Sequence, residues 1–219
     1  MSLQRTSFKS GDLKLEGVLH LPDSDGPFQC VVICHPHPLY GGSMDNNVVD
    51  AICDTLVQSS IAAFKFNFRG VGHSQGHYDD GHGERDDSRN AVKYISTLRE
   101  VNAKCIGLCG YSAGAAFSLP ACWSDVNVKA IAAISPPLEM FDFSFAKGCE
   151  KPLLLISGSN DDFTPAERFI EFCEGLRESS EMEMVVGADH FWQGYEPQLA
   201  ERVTSFFIKA FASDNQSNH

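Results

Sequence analysis

The chain is short of positive charge: 17 Lys and Arg stand against 29 Asp and Glu, for a net charge of −12. A surface of that sign repels phosphate backbones and anionic headgroups, so neither nucleic acid nor a membrane surface is an expected partner. Long apolar runs are also missing. None approaches the roughly 20 residues of a bilayer-spanning helix, and the N-terminal MSLQRTSFKSGDLKLEGV holds no apolar stretch of the secretory kind. The expected location is cytoplasmic. Cys-x-x-Cys pairs are absent, and most of the eight cysteines fall inside apolar runs such as CVVIC and CIGLC. Buried free thiols in a reducing compartment are therefore expected in place of a disulfide framework. No repeat, low-complexity block or linker interrupts the chain. One domain over residues 1–212 is expected, followed by a flexible polar tail over 213–219.

What is present is an alternation of two periodicities. Eight strand-like runs lie near Thr6–Lys9, Leu13–His20, Cys30–His35, Ile61–Phe66, Cys105–Gly110, Val128–Ile134, Pro152–Gly158 and Met182–Val186. The first two alternate in polarity and read as an antiparallel pair. From the third onward the runs are short and almost continuously apolar, as in IAAFKF and LLLIS, the pattern of parallel strands covered on both faces. Helical spacing marks Asn46–Ser59, Glu84–Leu98, Thr164–Leu176 and Gln198–Phe211, with a further helix-like run in AGAAFSLPACW. Thr164, Pro165 and Glu167 fit N-cap, N1 and N3 of a capping box. Strands alternating with helices predict an α/β domain with a mostly parallel sheet.

CGYSAG closes the fifth strand-like run and opens a helix-like one. A strand-to-helix elbow would hold Ser112 in a strained conformation, with Gly110 and Gly114 leaving room around it. A serine hydroxyl needs a base, and the base needs an orienting acid. His190, in GADHFW, follows the last strand-like run, and Asp161, in SGSNDDFTP, follows the seventh. All three fall at the carboxyl ends of strands, where open α/β sheets bind ligands. Asp161 is preferred to Asp162 as the acid, for its offset of three from Gly158. Asp189 adjoins His190 but cannot easily turn its carboxylate onto its neighbour's ring. An oxyanion would be held by the N–H of Ala113 and by one from the loop CHPHPLYGGSMDN. Pro36 and Pro38 have no N–H, which leaves His37, then Leu39 or Tyr40, and His37 is preferred.

Taken together, HPHPLYGGSMDNNVV, FNFRGVGHSQG, YDDGHGERDD, GYSAG, SGSNDDFTP and GADHFW resemble the small α/β-hydrolases related to dienelactone hydrolases and acyl-peptidase catalytic domains. The resemblance implies an eight-stranded α/β-hydrolase sheet, a Ser112–Asp161–His190 triad and esterase-like hydrolysis without cofactor or metal. The chain departs from the dienelactone hydrolases in having serine, not cysteine, as the nucleophile. Only SPPLEMFDFSFAKGCEK separates the sixth and seventh strand-like runs, so no sizeable lid is expected. The expected substrate is a small or short-acyl ester, with thioesters, lactones and peptide ends as alternatives. The expected assembly is a monomer or homodimer.

Candidate substrate walls are Tyr40, Phe141, Phe143, Phe145, Phe191 and Trp192. Arg69 is expected to pair with Glu84 or Asp86. Two other classes compete. His35, His37, His73, His77 and His82 with Asp79 and Asp80 could serve a metal-dependent hydrolase, although none shows His-x-x-x-His spacing on a helix. A non-catalytic binding protein of the same fold would have no need of serine, acid and base together. The glycines of RGVGHSQG are followed by a polar loop and lack dinucleotide-loop spacing.

Overall fold

An apolar parallel strand must be covered on both faces, and side chains that alternate along a strand supply two separate cores. The computed structural model, which describes residues 1–216, realises this arrangement. Strands β1 (Ser2–Ser10), β2 (Leu13–Leu21), β3 (Phe28–Cys34), β4 (Ala62–Phe66), β5 (Val101–Tyr111), β6 (Val128–Ile134), β7 (Leu153–Gly158) and β8 (Ser180–Val185) form one sheet in the order β1-β2-β4-β3-β5-β6-β7-β8. The pairs β1–β2 and β2–β4 are antiparallel and every other pair is parallel, so β2 alone runs against the rest. Alternation is visible within single strands. Val31 and Ile33 of β3 enter one core, while Cys30, Val32 and Cys34 enter the other.

Helices α1 (Asn47–Gln58) and α5 (Glu196–Gln216) cover the first of these cores, and α2 (His82–Ile95), α3 (Ala113–Cys122) and α4 (Ala166–Glu174) border the second. The helix α1 is capped by Asn46, whose side chain accepts from Val48 N–H at 3.0 Å. Gly107 of β5 lets α5 lie close, because a Cβ there would stand 2.6 Å from the Phe207 ring. The helix α5 continues to Gln216, into the segment expected to be a tail, and residues 217–219 lie outside the described residues. All eight cysteines are free. Among the described residues no helix is long and apolar enough to cross a membrane.

Three local expectations are corrected. The helix α2 begins at His82, two residues before Glu84, because Glu84 occupies N3 and accepts from Gly81 N–H at 2.9 Å. At α4 the N-cap is Pro165, not Thr164. The Thr164 hydroxyl instead donates to the Pro136 carbonyl at 2.8 Å, tying the β7 and β6 loops together. Arg69 pairs with the fully buried Asp87 at 2.8 Å, not with Glu84 or Asp86. Asp86 is exposed and binds Arg89 at 2.7 Å. The Arg69 guanidinium occupies the space a Cβ on Gly83 would need, at 1.9 Å.

The order β4-β3-β5 contains the point where the chain reverses its direction of growth across the sheet. After β3 the chain turns to the α1 face, and after β5 it turns to the α3 face. The two loops leave the sheet toward opposite faces at the carboxyl ends of the strands, the edge at which open α/β sheets bind ligands. His35, at the end of β3, is fully buried there. Its Nδ1 lies 2.7 Å from the Pro36 carbonyl, and its Nε2 accepts from Phe68 N–H at 3.1 Å, an arrangement that needs the neutral ring. Burial lowers its pKa to about 4. The unfolded chain, with an ordinary histidine pKa, therefore binds the extra proton first. Stability from this residue is complete above pH ~6.5 and is lost as pH falls toward 4, by about 3 kcal/mol in all. Thermal melts between pH 7 and 4 should show Tm falling more steeply in the wild type than in His35→Asn. Parallel slopes would show that His35 does not drive the loss.

Candidate active site

The turn between β5 and α3 carries Ser112 at φ 54° and ψ −126°, a conformation that costs a non-glycine residue on the order of 1–3 kcal/mol. Its N–H donates to the Ile134 carbonyl at 2.8 Å, and its carbonyl accepts from Ala115 N–H at 2.9 Å, so both flanks are held. The two neighbouring glycines permit close approach. A Cβ on Gly110 would stand 2.4 Å from Ala115 Cα, and one on Gly114 would stand 2.4 Å from the carbonyl oxygens of Cys34 and His35. The start of α3 is thus pressed against the end of β3. This sets the Ser112 hydroxyl at the carboxyl edge of the sheet and leaves the first N–H groups of α3 without intrahelical acceptors.

Two other loops meet it. Ser112 Oγ lies 2.9 Å from His190 Nε2, and His190 Nδ1 lies 2.9 Å from both Oδ1 and Oδ2 of Asp161. A carboxylate only accepts, so the proton between the latter pair sits on Nδ1, the tautomer whose neutral ring turns an Nε2 lone pair toward the hydroxyl. Asp161 is almost wholly buried. Its Oδ1 also accepts from the Phe163 and Thr164 amides, at 2.9 and 3.0 Å. Asp162 is exposed, and Asp189 accepts from the amides of Phe191 and Trp192, both at 2.9 Å. Of the three aspartates only Asp161 touches the imidazole. Tyr111 fixes the histidine from below, donating its hydroxyl to the His190 carbonyl at 2.6 Å. Burial raises the pKa of this phenol, which keeps it a donor.

The loop after β3 supplies a further polar group. The His37 carbonyl accepts from Tyr40 and Gly42 N–H, at 3.1 and 3.0 Å, while its Nδ1 accepts from Leu39 N–H at 3.2 Å. The Leu39 and Tyr40 amides are therefore committed. The N–H of His37 has no acceptor among the described residues.

The candidate walls divide. Tyr40 is 81% exposed and packs on the His37 ring. Phe191 is 62% exposed with its ring against His190. Phe141 is half-buried against Phe117, and Phe145 against Trp123 and Phe143. Trp192 is a correction, since its indole is fully buried, whereas Phe143, though buried, borders with Phe141 a hollow that Arg168 and Phe172 also line. The Trp192 indole belongs to the α1–α5 core and donates to Ser135 Oγ at 3.0 Å, so it props the β6 loop and lines no opening. Phe163 was missing from the sequence-derived set, yet its ring centroid lies 4.5 Å from that of His190. Its position two residues after Asp161 was the only available signal. His73, His77 and His82 are exposed. Among the described residues no three His, Cys, Asp or Glu side chains gather as a set for a metal ion.

Known proteins share the fold of this chain. Protein RP471 of Rickettsia prowazekii is 29% identical over 196 residues, which span 86% of this chain and 82% of that protein. An α/β serine hydrolase homologue from Coxiella burnetii is 29% identical with a TM-score of 0.83, over 92% of this chain and 96% of its own. XC6422 of Xanthomonas campestris, an α/β serine hydrolase without lid, is 27% identical with a TM-score of 0.83, over 94% of both chains. In this chain the stretch from β6 to β7 holds a turn at Pro137–Phe141 and a short 3₁₀ turn, Ser144–Gly148. Residues 75–203 match the dienelactone hydrolase family, a stretch that carries Ser112, Asp161 and His190. With more than half its length matched and the eight-stranded sheet in place, the chain belongs to the dienelactone hydrolase family of α/β-hydrolases.

Proposed function

We propose that the protein is a serine hydrolase that cleaves small or short-acyl carboxylic esters through an acyl-enzyme. The observation that carries this reading is the unbroken chain Asp161–His190–Ser112, each link 2.9 Å, ending on a hydroxyl held at a strained elbow. Ser112 attacks the acyl carbonyl as His190 Nε2 takes its proton, and Asp161 holds the imidazolium that forms. The Ala113 and His37 amides receive the oxyanion. Each such donor typically lowers the barrier by about 2.7–4 kcal/mol. His190 then protonates the departing alcohol, and water, activated by the same ring, releases the acid. Nothing in these steps calls for a cofactor. The short β6–β7 connection supports a small substrate, since no large surface is available to fold over a long chain. Thioesters, lactones or peptide ends would react by the same steps.

Fluorophosphonate labelling tests the nucleophile. Wild type should be labelled at Ser112 and Ser112→Ala should not, with ester hydrolysis reduced by roughly 10⁴–10⁶-fold. Equal labelling of both would remove Ser112 from the role. Asp161→Asn should keep the fold but lower kcat by about 10⁴-fold, through loss of the Nδ1–H tautomer. Asp162→Asn should stay within a few-fold of wild type, and a reversal of these two would reassign the acid. In a p-nitrophenyl ester series, kcat/KM should peak at acetate to butyrate. A rise continuing to laurate would contradict the short-acyl assignment.

A further inference from the structure

His190 is surrounded by aromatic rings, and two of them are left facing water. Tyr111 lies 5.8 Å away, centroid to centroid, and is buried. Phe163 lies at 4.5 Å, tilted by 45°, and Phe191 at 5.7 Å, perpendicular at 89°. Phe163 and Phe191 are 47% and 62% exposed, whereas His190 itself is 8% exposed. Each ring therefore covers the imidazole on one side and offers bare apolar surface on the other. Apolar surface left in water gains by being covered. Two half-exposed rings set on one imidazole offer a ligand apolar surface beside it.

Their placement is held by the backbone. The Phe163 N–H donates to Asp161 Oδ1 and the Phe191 N–H to Asp189 Oδ1, both at 2.9 Å. Phe163 is therefore tied to the carboxylate that orients the histidine. Phe191 is the residue next to the histidine in the chain. These bonds fix where each Phe leaves the backbone beside His190.

We infer that Phe163 and Phe191 form an apolar platform for the alcohol portion of the ester, so that favoured substrates carry an aryl or other flat apolar group on the leaving oxygen. The inference rests on the triad reading above and adds the leaving-group class to it. When the tetrahedral intermediate collapses, the bond from the carbonyl carbon to the leaving oxygen breaks and its electron pair goes to that oxygen. The proton on His190 Nε2 passes to the same oxygen, and the neutral alcohol departs. That transfer brings the leaving oxygen within hydrogen-bond reach of Nε2. The first carbons of the alcohol then lie beside the imidazole, where Phe163 and Phe191 are its neighbours. The acyl carbon stays bonded to Ser112 Oγ throughout this step.

The test separates the two halves of the ester. Benzyl and ethyl acetate share an acyl group, while benzyl acetate and benzyl butyrate share an alcohol. Wild type should favour benzyl over ethyl acetate in kcat/KM. Phe163→Ala and Phe191→Ala should each lower that ratio about tenfold, as expected for one lost aromatic contact, with most of the change in KM. The butyrate-to-acetate ratio measured with benzyl alcohol should keep its wild-type value. Phe163→Leu, which retains apolar bulk, should give an intermediate benzyl-to-ethyl ratio and serves if the alanine variant folds poorly. An unchanged benzyl-to-ethyl ratio, even with all rates reduced together, would mean that the rings act only on His190, and the inference would be wrong. A wild type with no benzyl preference would overturn it as well. Fluorophosphonate labelling of the same samples tells the two failures apart. Labelled Ser112 with no benzyl preference sinks only the platform, whereas an unlabelled wild type sinks the esterase reading beneath it.

Discussion

The backbone at Ser112 is the constraint on which the site depends. A side chain at φ 54° is strained, and the turn persists because its surroundings leave no alternative. The N–H of Ser112 is bound by β6, and its carbonyl caps the first turn of α3. Gly110 and Gly114 let strand, helix and the β3 terminus approach within distances that any Cβ would forbid. Release of that contact would let α3 move away from β3. The Ser112 hydroxyl and the loop bearing His37 would then separate.

Around that point the protein uses backbone amides to fix side chains. Asp161 takes two amides of its own loop as well as the imidazole, so its carboxylate has little freedom to rotate. Asp189 does the same for the turn that follows His190. Thr164, by giving its hydroxyl to Pro136, binds the acid's loop to the β6 loop instead of capping a helix. Ser135 and Trp192 add a second link between the β6 and β8 loops. The three loops that meet at the hydroxyl are thus tied to one another as well as to the sheet. In an open site without a lid, this cross-bonding holds Ser112, Asp161 and His190 in place.

Much of this was legible in one dimension because it follows from periodicity. Apolar runs covered on both faces read as parallel strands, and their order along the chain placed Ser112, Asp161 and His190 after the fifth, seventh and eighth. The contacts that went unread are those in which two segments distant in sequence compete for one group. Arg69 could have met several acids, and the helical phase that buries Asp87 and exposes Asp86 decides between them. Thr164 had the chemistry of a cap, but a carbonyl on another loop claimed its hydroxyl. Trp192 and Phe191 are adjacent, and only the turn between them sends one ring into the α1–α5 core and the other over His190.

The sequence by itself determined the class of sheet, the elbow at Ser112 and the identity of the three polar residues, because apolar period, glycine spacing and side-chain chemistry are local properties. The tertiary structure decided which surfaces those residues face. It made Asp161 rather than Asp162 the partner of His190, left His37 N–H without an acceptor among the described residues, and set Phe163 and Phe191 against the imidazole with their outer surfaces bare. Those outcomes depend on which loops meet at the carboxyl edge of the sheet. That meeting is fixed by the crossover between β3 and β5 and by the packing of both cores, which no single segment encodes.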